Sequence, residues 1–245
     1  MKSMKFLFLL SAGLSLLCFT ANAQEKTQSP GHNEIIETLI KNEEYEMDWF
    51  AIRDTAKIEI GKVFTKISKT KNTVKVITTV KMKNMPDWID ETIAELPSLN
   101  PVKHTSVNTQ REINLNFGKT TTGYYLDKKD NKKSGIKEET SSDFFDSNIY
   151  PQIIRWLPLK QNYKTEMTIF DYNPVTKAAI LKATINNTTK GFLAGKSVWI
   201  VTVIDGISQN KVTNTYYIDS ETNQFLKQEI DMGTKKMIME KVSKD

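Results

Sequence analysis

The sequence contains a single cysteine, Cys18, which lies inside an apolar run near the amino terminus. Lys2 and Lys5 precede this run, which covers residues 6–19, and Ala21-Asn22-Ala23 follows it. The apolar stretch is shorter than the about 20 residues that span a bilayer. Together with the charged head and the A-x-A pattern, it is typical of a cleaved secretory signal. We therefore predict cleavage after Ala23. Cleavage there removes Cys18 and leaves the mature chain without disulfides, thiol nucleophiles or thiolate metal ligands.

A lipidated amino-terminal cysteine at position 18 is the alternative interpretation of this segment. A lipoprotein signal has a small residue before that cysteine, whereas this chain has Leu17. We expect a periplasmic or secreted protein that is peripheral to a membrane at most. The predicted organisation is a signal peptide (1–23), a leader with a short helix (24–43) and a single antiparallel β domain (44–245). The first ten residues of the leader are polar, and we expect them to be loose.

Histidine is almost as scarce as cysteine, since only His32 and His104 are present. The two lack the spacing of metal ligands, so neither a metal nor a cofactor is predicted. We expect His104 to lie on a sheet face, in a strand from Val102 to Val107. A Ser-His-Asp arrangement would need His104, and no serine stands in a glycine-flanked turn. The sequence therefore predicts a protein that is not an enzyme, and a crevice where acidic groups meet His104 would count against that prediction.

Clustered charge of one sign is absent as well. The formal net charge is +5, but the lysines alternate with acidic residues along the chain. The densest basic stretch, residues 128–133, includes Asp130 and is typical of a solvated hairpin tip. Nucleic-acid proteins usually present a basic face with interleaved aromatic residues, so nucleic acid is not an expected partner.

Apolar and polar residues alternate along three stretches, which is the pattern of strands with one buried face. The alternating apolar positions are Val74, Val76, Val80 and Met82, then Ile113, Leu115 and Phe117, then Leu181, Ala183 and Ile185. Residues 198–204 are almost continuously apolar, so we expect that strand to be covered on both faces near the sheet centre. Turn signals such as Lys133-Ser134-Gly135 and Ala194-Gly195-Lys196 separate the strands. Long crossover helices are not predicted between them, which favours an antiparallel sheet.

One stretch departs from this alternation and has apolar residues at helical spacing. Its apolar positions are Phe145, Ile149, Ile153, Trp156 and Leu157. Pro151 should stand early in the helix and Pro158 should end it. The fold class that follows is mainly β, with a large curved antiparallel sheet (a half-barrel) of about ten strands and a helix packed in its concave face.

Several short motifs follow one another in a characteristic order, namely Tyr45–Trp49, Ser98–His104, Ile113–Phe117, Phe145–Asn148, Trp156–Leu159 with Tyr163, and Tyr216–Thr222. In this order they resemble a bacterial periplasmic domain-of-unknown-function family. That family is similar in fold to the LolA/LolB-type proteins that sort outer-membrane lipoproteins. The resemblance implies the curved-sheet fold and the periplasm, and by analogy an apolar, lipid or acyl ligand.

The aromatic residues suggest where such a ligand would bind between the helix and the sheet. The predicted ligand-lining residues are Phe145, Tyr150, Ile153, Trp156, Phe117 and Trp199. The other interpretation is that these side chains fill a solid core. The leading functional hypothesis is a non-catalytic, lipoprotein-carrier-like binding module that encloses apolar surface. The alternative is an envelope scaffold that binds protein by strand addition at an exposed sheet edge.

Overall fold

The computed structural model describes residues 26–140, 143–174 and 179–242. The predicted signal peptide lies outside these residues. The strands are β1 (Thr27–Gln28), β2 (Glu43–Arg53), β3 (Ala56–Lys69), β4 (Thr73–Met82), β5 (Trp88–Glu95), β6 (Pro101–Val107), β7 (Arg111–Asn116), β8 (Thr120–Asp127), β9 (Lys132–Glu139), β10 (Phe145–Asp146), β11 (Thr165–Asp171), β12 (Ala179–Leu193), β13 (Lys196–Asp205), β14 (Thr213–Asp219), β15 (Phe225–Asp231) and β16 (Lys236–Lys241). The helix α1 covers Tyr150–Trp156, and two short 3-10 helices cover Glu37–Leu39 and Gly206–Ser208.

All sixteen strands belong to one open, curved sheet. Its order is β1-β11-β12-β13-β14-β15-β16-β2-β3-β4-β5-β6-β7-β8-β9, and β10 also pairs with β11. The pairings are antiparallel except for the two short strands β1 and β10, which run parallel to β11. The predicted fold class, a large curved antiparallel sheet with one helix, is confirmed. The sheet has more strands than the expected ten because several strands between β2 and β9 carry polar residues on both faces and show no clear alternation.

Hairpin turns connect most neighbouring strands. Ala194 and Gly195 both have positive φ (47° and 79°) and form a two-residue turn between β12 and β13, as the twist of a hairpin requires. The turn predicted at Lys133-Ser134-Gly135 was wrong, because these residues lie inside β9. The chain reverses four residues earlier, at 128–131, so the basic stretch does form an exposed hairpin tip at its amino-terminal end.

Strand β13 lies fourth in the sheet order rather than at the centre, which β2 occupies. On one face Val201 and Val203 are fully buried, while Ile200 and Ile204 on the opposite face are only partly covered. The expectation of burial on both faces was therefore wrong for this strand. The concave face carries the core, and the described helix covers that face alone.

Helix α1 packs its apolar side chains into the concave face of the sheet. Ile153, Ile154 and Trp156 have no exposed surface, and each such burial contributes about 1.5–3 kcal/mol. Their core cluster also includes residues from six strands of the sheet, namely Val74, Val76, Ala94, Met167, Ile169, Ala183, Ile185, Val201, Val203, Tyr216 and Ile218. The helix is shorter than predicted, since Phe145 and Asp146 pair with β11 as a strand. Pro151 stands in the first turn and Pro158 directly follows the C-cap Leu157, as expected.

The leader is attached to the sheet from residue 26 onward, contrary to the expectation of a loose segment. Gln28 is fully buried, and its side-chain amide donates to the Thr165 hydroxyl over 3.1 Å. The backbone N–H of Glu34 donates to the Gln28 side-chain oxygen over 2.8 Å. The short helix predicted from the apolar residues at 35–40 is present as one 3-10 turn. Within the residues that the structure describes, no helix has the length and apolarity to cross a membrane.

Candidate functional site

A cleft of about 420 Å³ opens on the concave face, beside the amino-terminal end of α1. This volume falls within the range of about 300–1,000 Å³ that is usual for small-molecule sites. Strands β2–β7, β15 and β16 form its floor, and residues 146–152 form its roof. We call the longer segment that contains this roof, residues 145–157, the cap.

The strand register brings the floor residues together. Residues directly opposite each other in antiparallel strands point to the same face of a sheet. One row of such pairs crosses six strands, and every member lines the cleft. Its members are Tyr45, Thr65, Thr78, Asp90, Ser106 and Ile113. The cleft therefore follows a mainly polar stripe across the sheet.

Apolar side chains line the part of the cleft that lies over β2, β3, β15 and β16. Met47 is paired with Val63 in the next row of the sheet, and Phe225 and Met239 come from the neighbouring strands. Ile207, from the 3-10 helix that follows β13, is 41% exposed and also lines the cleft. This half of the cleft offers an apolar surface that a ligand could cover.

The opposite end contains a buried ion pair between the sheet and the cap. His104 Nδ1, on β6, lies 3.0 Å from Asp146 Oδ2, on β10. The residues are 9% and 2% exposed. The other Asp146 oxygen accepts from the backbone N–H of Asn148 over 2.7 Å. Thr92 Oγ1 lies 3.3 Å from the same His104 nitrogen and accepts from the Asn148 side chain over 3.1 Å.

Two further carboxylates and one guanidinium complete this polar end. Asp90 accepts from Trp88 Nε1, and Asp171 accepts from the Ser147 hydroxyl, both over 2.9 Å. Burial raises the pKa of both carboxyl groups, and Arg111 acts against this rise in each case. Among the described residues, the Arg111 side chain has no hydrogen bond, so its donors are available in the cleft.

The electrostatic surroundings also shift the titration of His104. Burial is the largest single influence and lowers the pKa of the imidazole, but Asp146, Asp90 and Asp171 together outweigh it. The pKa of His104 is therefore raised above its ordinary value of 6.5. An imidazole that is held between carboxylates near neutral pH can bind or release a proton, and can donate to a polar group in the cleft.

Polar contacts at nearly regular spacing tie the cap to the sheet. Each of them joins a cap residue to a different part of the concave face. The contacts are Asp146 with His104, Asn148 with Thr92, Tyr150 with Asp205, Gln152 with Tyr45, and Arg155 with Glu43. The cap is thus positioned by polar groups along its length as well as by the apolar core beneath α1.

The six residues predicted to line a ligand site do not meet around one space. Phe145, Tyr150, Ile153 and Trp156 are 0–5% exposed within the core, and Trp199 packs partly buried against the same core. Phe117 contacts Phe144 and Phe170 edge to face and lines a separate groove. None of the six lines the cleft. A ligand role for these residues stays a prediction.

Sequence reasoning did not find the polar end of the cleft. His104 was expected on a sheet face and does lie on one, but its partner Asp146 is 42 positions away, and nothing in the local sequence connects them. This crevice of acidic groups around His104 is the arrangement that counts against two predictions, a purely apolar site and a protein that is not an enzyme. Among the described residues, no cluster of histidine and acidic side chains is suited to hold a metal ion.

Comparison with known proteins identifies the family of this chain. No curated protein matches the chain. A family model described as "Protein of unknown function (DUF3108)" matches residues 44–240, which include β3 to β15 and all but one residue each of β2 and β16. The matched region contains the whole lining of the cleft and the whole cap. The chain therefore belongs to the DUF3108 family.

Proposed function

We propose that this protein is a binding module for a small amphipathic ligand, which it holds in the cleft between the cap and the sheet. The observation that carries the proposal is the division of the cleft lining into an apolar half and a polar end. An acyl chain or a similar apolar group would lie over Met47, Val63 and Met239. The polar group of the ligand would face His104 and Arg111.

The apolar half supports binding by removal of hydrocarbon surface from water. Each methylene group that is buried contributes about 0.8 kcal/mol. The packing of the cap on the sheet forms the cleft, so binding requires little rearrangement of the sheet. A lipid or another acyl compound has the chemistry that this half favours.

The polar end supports recognition of a head group that both donates and accepts hydrogen bonds. Arg111 and His104 supply donors, while Asp90 and Asp171 supply acceptors. Buried polar groups such as these discriminate strongly against a ligand that leaves them unpaired. A plain hydrocarbon would leave them unpaired, so we expect the ligand to carry a polar group at one end.

Export to the periplasm is part of the proposal. The amino-terminal pattern and the absence of cysteine after position 23 support it. The motif order resembles that of a family similar in fold to the LolA/LolB-type carriers. This resemblance agrees with a protein that binds acyl groups.

Strand addition at the sheet edge is less well supported by the structure. The free edge strand β9 has exposed lysines at positions 132, 133 and 137. Charged residues on an edge strand oppose pairing with another chain. The cleft is therefore favoured over the edge as the binding site.

Binding can be tested with Val63→Arg, which places a long charged side chain in the apolar half. The control is Ile58→Arg on the same strand, because Ile58 is 41% exposed and does not line the cleft. We expect native mass spectrometry to detect a co-purified amphiphile, and titration with a dansyl-labelled fatty acid to saturate. Val63→Arg should weaken that binding at least about tenfold, equivalent to about 1.4 kcal/mol.

Ile58→Arg should bind the labelled fatty acid as the unmodified protein does. Equal binding by the two variants, or no saturable binding by the unmodified protein, would contradict the proposed function. Circular dichroism of both variants shows whether each is folded before binding is compared.

A further inference from the structure

Of the contacts that tie the cap to the sheet, the one between His104 and Asp146 contains the side chain whose charge changes near neutral pH. Tyr150 has a pKa raised well above its ordinary value of 10.0 by burial, and Arg155 keeps its charge because burial lowers its pKa only to about 10. Asn148 and Gln152 do not titrate. Histidine alone among these groups changes its charge near neutral pH.

The imidazole is surrounded by charged groups from every side of the polar end. Asp146 on β10 contacts it directly, Asp90 faces it from β5, and Asp171 faces it from β11. Arg111 on β7 faces Asp90 and Asp171 and offsets part of their charge. When His104 is neutral, three carboxylates face one guanidinium. When His104 is protonated, a second cation is present, in direct contact with the cap.

We propose that His104 is a proton-controlled latch that holds the cap closed over the polar end of the cleft when it is protonated and lets the cap loosen when it is neutral. This inference rests on the proposed function, because it describes how ligand entry and release at that site are regulated. It adds a regulated opening step to the cleft.

The direction of the effect follows from linkage. The pKa of His104 is higher in the folded protein than in the unfolded chain, so the folded, closed state binds the proton more tightly. The stabilisation is therefore fully present below the unfolded value of 6.5 and is lost as pH rises through the raised folded value. Asp90 and Asp171, whose pKa values are raised by burial, act in the same direction in the acidic range.

The chain allows a direct measurement, because it contains only two histidines. His32 is exposed and makes no ion pair with the described residues, so His32→Gln leaves His104 as the single imidazole signal in an NMR titration. We expect that signal to titrate above pH 6.5. Asp146→Asn should move the titration to lower pH, since burial then acts with less opposition. A His104 signal that titrates below 6.5 in the His32→Gln protein would overturn the proposal.

Opening of the cap is measured separately, by hydrogen exchange in ligand-free protein. The backbone N–H groups of Ser147, Asn148 and Ile149 are hydrogen-bonded at the His104 end of the cap and report its opening. After correction for intrinsic rates, their exchange should accelerate about tenfold, equivalent to about 1.4 kcal/mol, from about pH 5.5 to 8.5. His104→Gln keeps a hydrogen-bonding side chain and should abolish this acceleration, whereas His32→Gln should retain it.

Because hydrogen exchange is measured in ligand-free protein, it tests the latch separately from the proposed function. If the protein saturates with labelled fatty acid but the exchange of the cap amides does not change with pH, the latch proposal is wrong and the proposed function stands. A pH-dependent cap in a protein that binds no amphiphile would support the latch as a conformational switch and contradict the proposed ligand. Persistence of the acceleration in folded His104→Gln would show that another group controls the cap.

Discussion

At the scale of single residues, the cap combines complete apolar burial with a few polar contacts that fix its position. Trp156 and Ile153 have no exposed surface, and the Trp156 indole N–H has no hydrogen-bond partner among the described residues. A charged residue at position 156 would place an unpaired charge inside the core, so we expect it to prevent folding. Position 156 is therefore unsuitable for a test of ligand binding, and the residues of the cleft are better sites.

Truncation of Ile153 should show how much the helix contributes to stability. Because this side chain is completely buried in the main core, Ile153→Ala should lower the free energy of unfolding by about 2–5 kcal/mol. Ile58→Ala on β3 is the control, because Ile58 is 41% exposed and should change stability by less than about 0.5 kcal/mol. Urea denaturation measures both, and equal effects would contradict the assigned packing.

The Arg155–Glu43 contact is a second residue-scale test. Arg155 is almost completely buried, donates to Gln152 and to the Asn223 carbonyl, and pairs with Glu43. Arg155→Ala leaves the Glu43 carboxylate without its cation. Because that carboxylate is 20% exposed, we expect the free energy of unfolding to fall by about 2–4 kcal/mol, somewhat less than for a fully buried pair. Lys66→Ala removes the cation of the exposed pair with Glu44 and should have no measurable effect in the same denaturation experiment.

At the scale of elements, the sequence predicted the strands whose polarity alternates and missed the row of residues that forms the site. Val74 and Val76 on β4, and Ile113 and Leu115 on β7, are buried as their alternation indicates. Thr65, Thr78, Asp90 and Ser106 also face the concave side, yet they are polar, and each has one polar and one apolar neighbour on the convex side. Only the pairing register places them in one row, and register between distant strands is not encoded in local sequence.

Gly61 on β3 tests the close approach of the β3 backbone to β4. A Cβ atom at position 61 would lie 2.3 Å from the Lys81 carbonyl oxygen on β4. Gly61→Ala should therefore destabilise the protein by about 1–3 kcal/mol in thermal or urea unfolding. Gly135→Ala on β9 meets no atom within 4 Å and should be neutral or slightly stabilising. A neutral result at position 61 would contradict the register of β3 and β4.

At the scale of the whole molecule, one core joins strands from both halves of the chain. The cluster beneath α1 contains Ile40 and Val76 from the first half and Ile185 and Phe225 from the second. The single domain predicted for residues 44–245 would unfold as one unit if this core is shared. We expect tryptophan fluorescence and far-ultraviolet circular dichroism to report one coincident transition in urea. Two separated transitions would show that the halves are independently stable.

The pairing of β16 with β2 at the middle of the sheet has a consequence for biogenesis. Strand β2 emerges early in synthesis, yet one of its edges has no partner until Lys236–Lys241 has been translated. An incomplete chain therefore exposes a long unpaired edge that favours aggregation, and native assembly must await synthesis of β16. Premature termination before codon 236 should yield insoluble fragments, even though the cleft-lining strands β2 to β7 would all have been made.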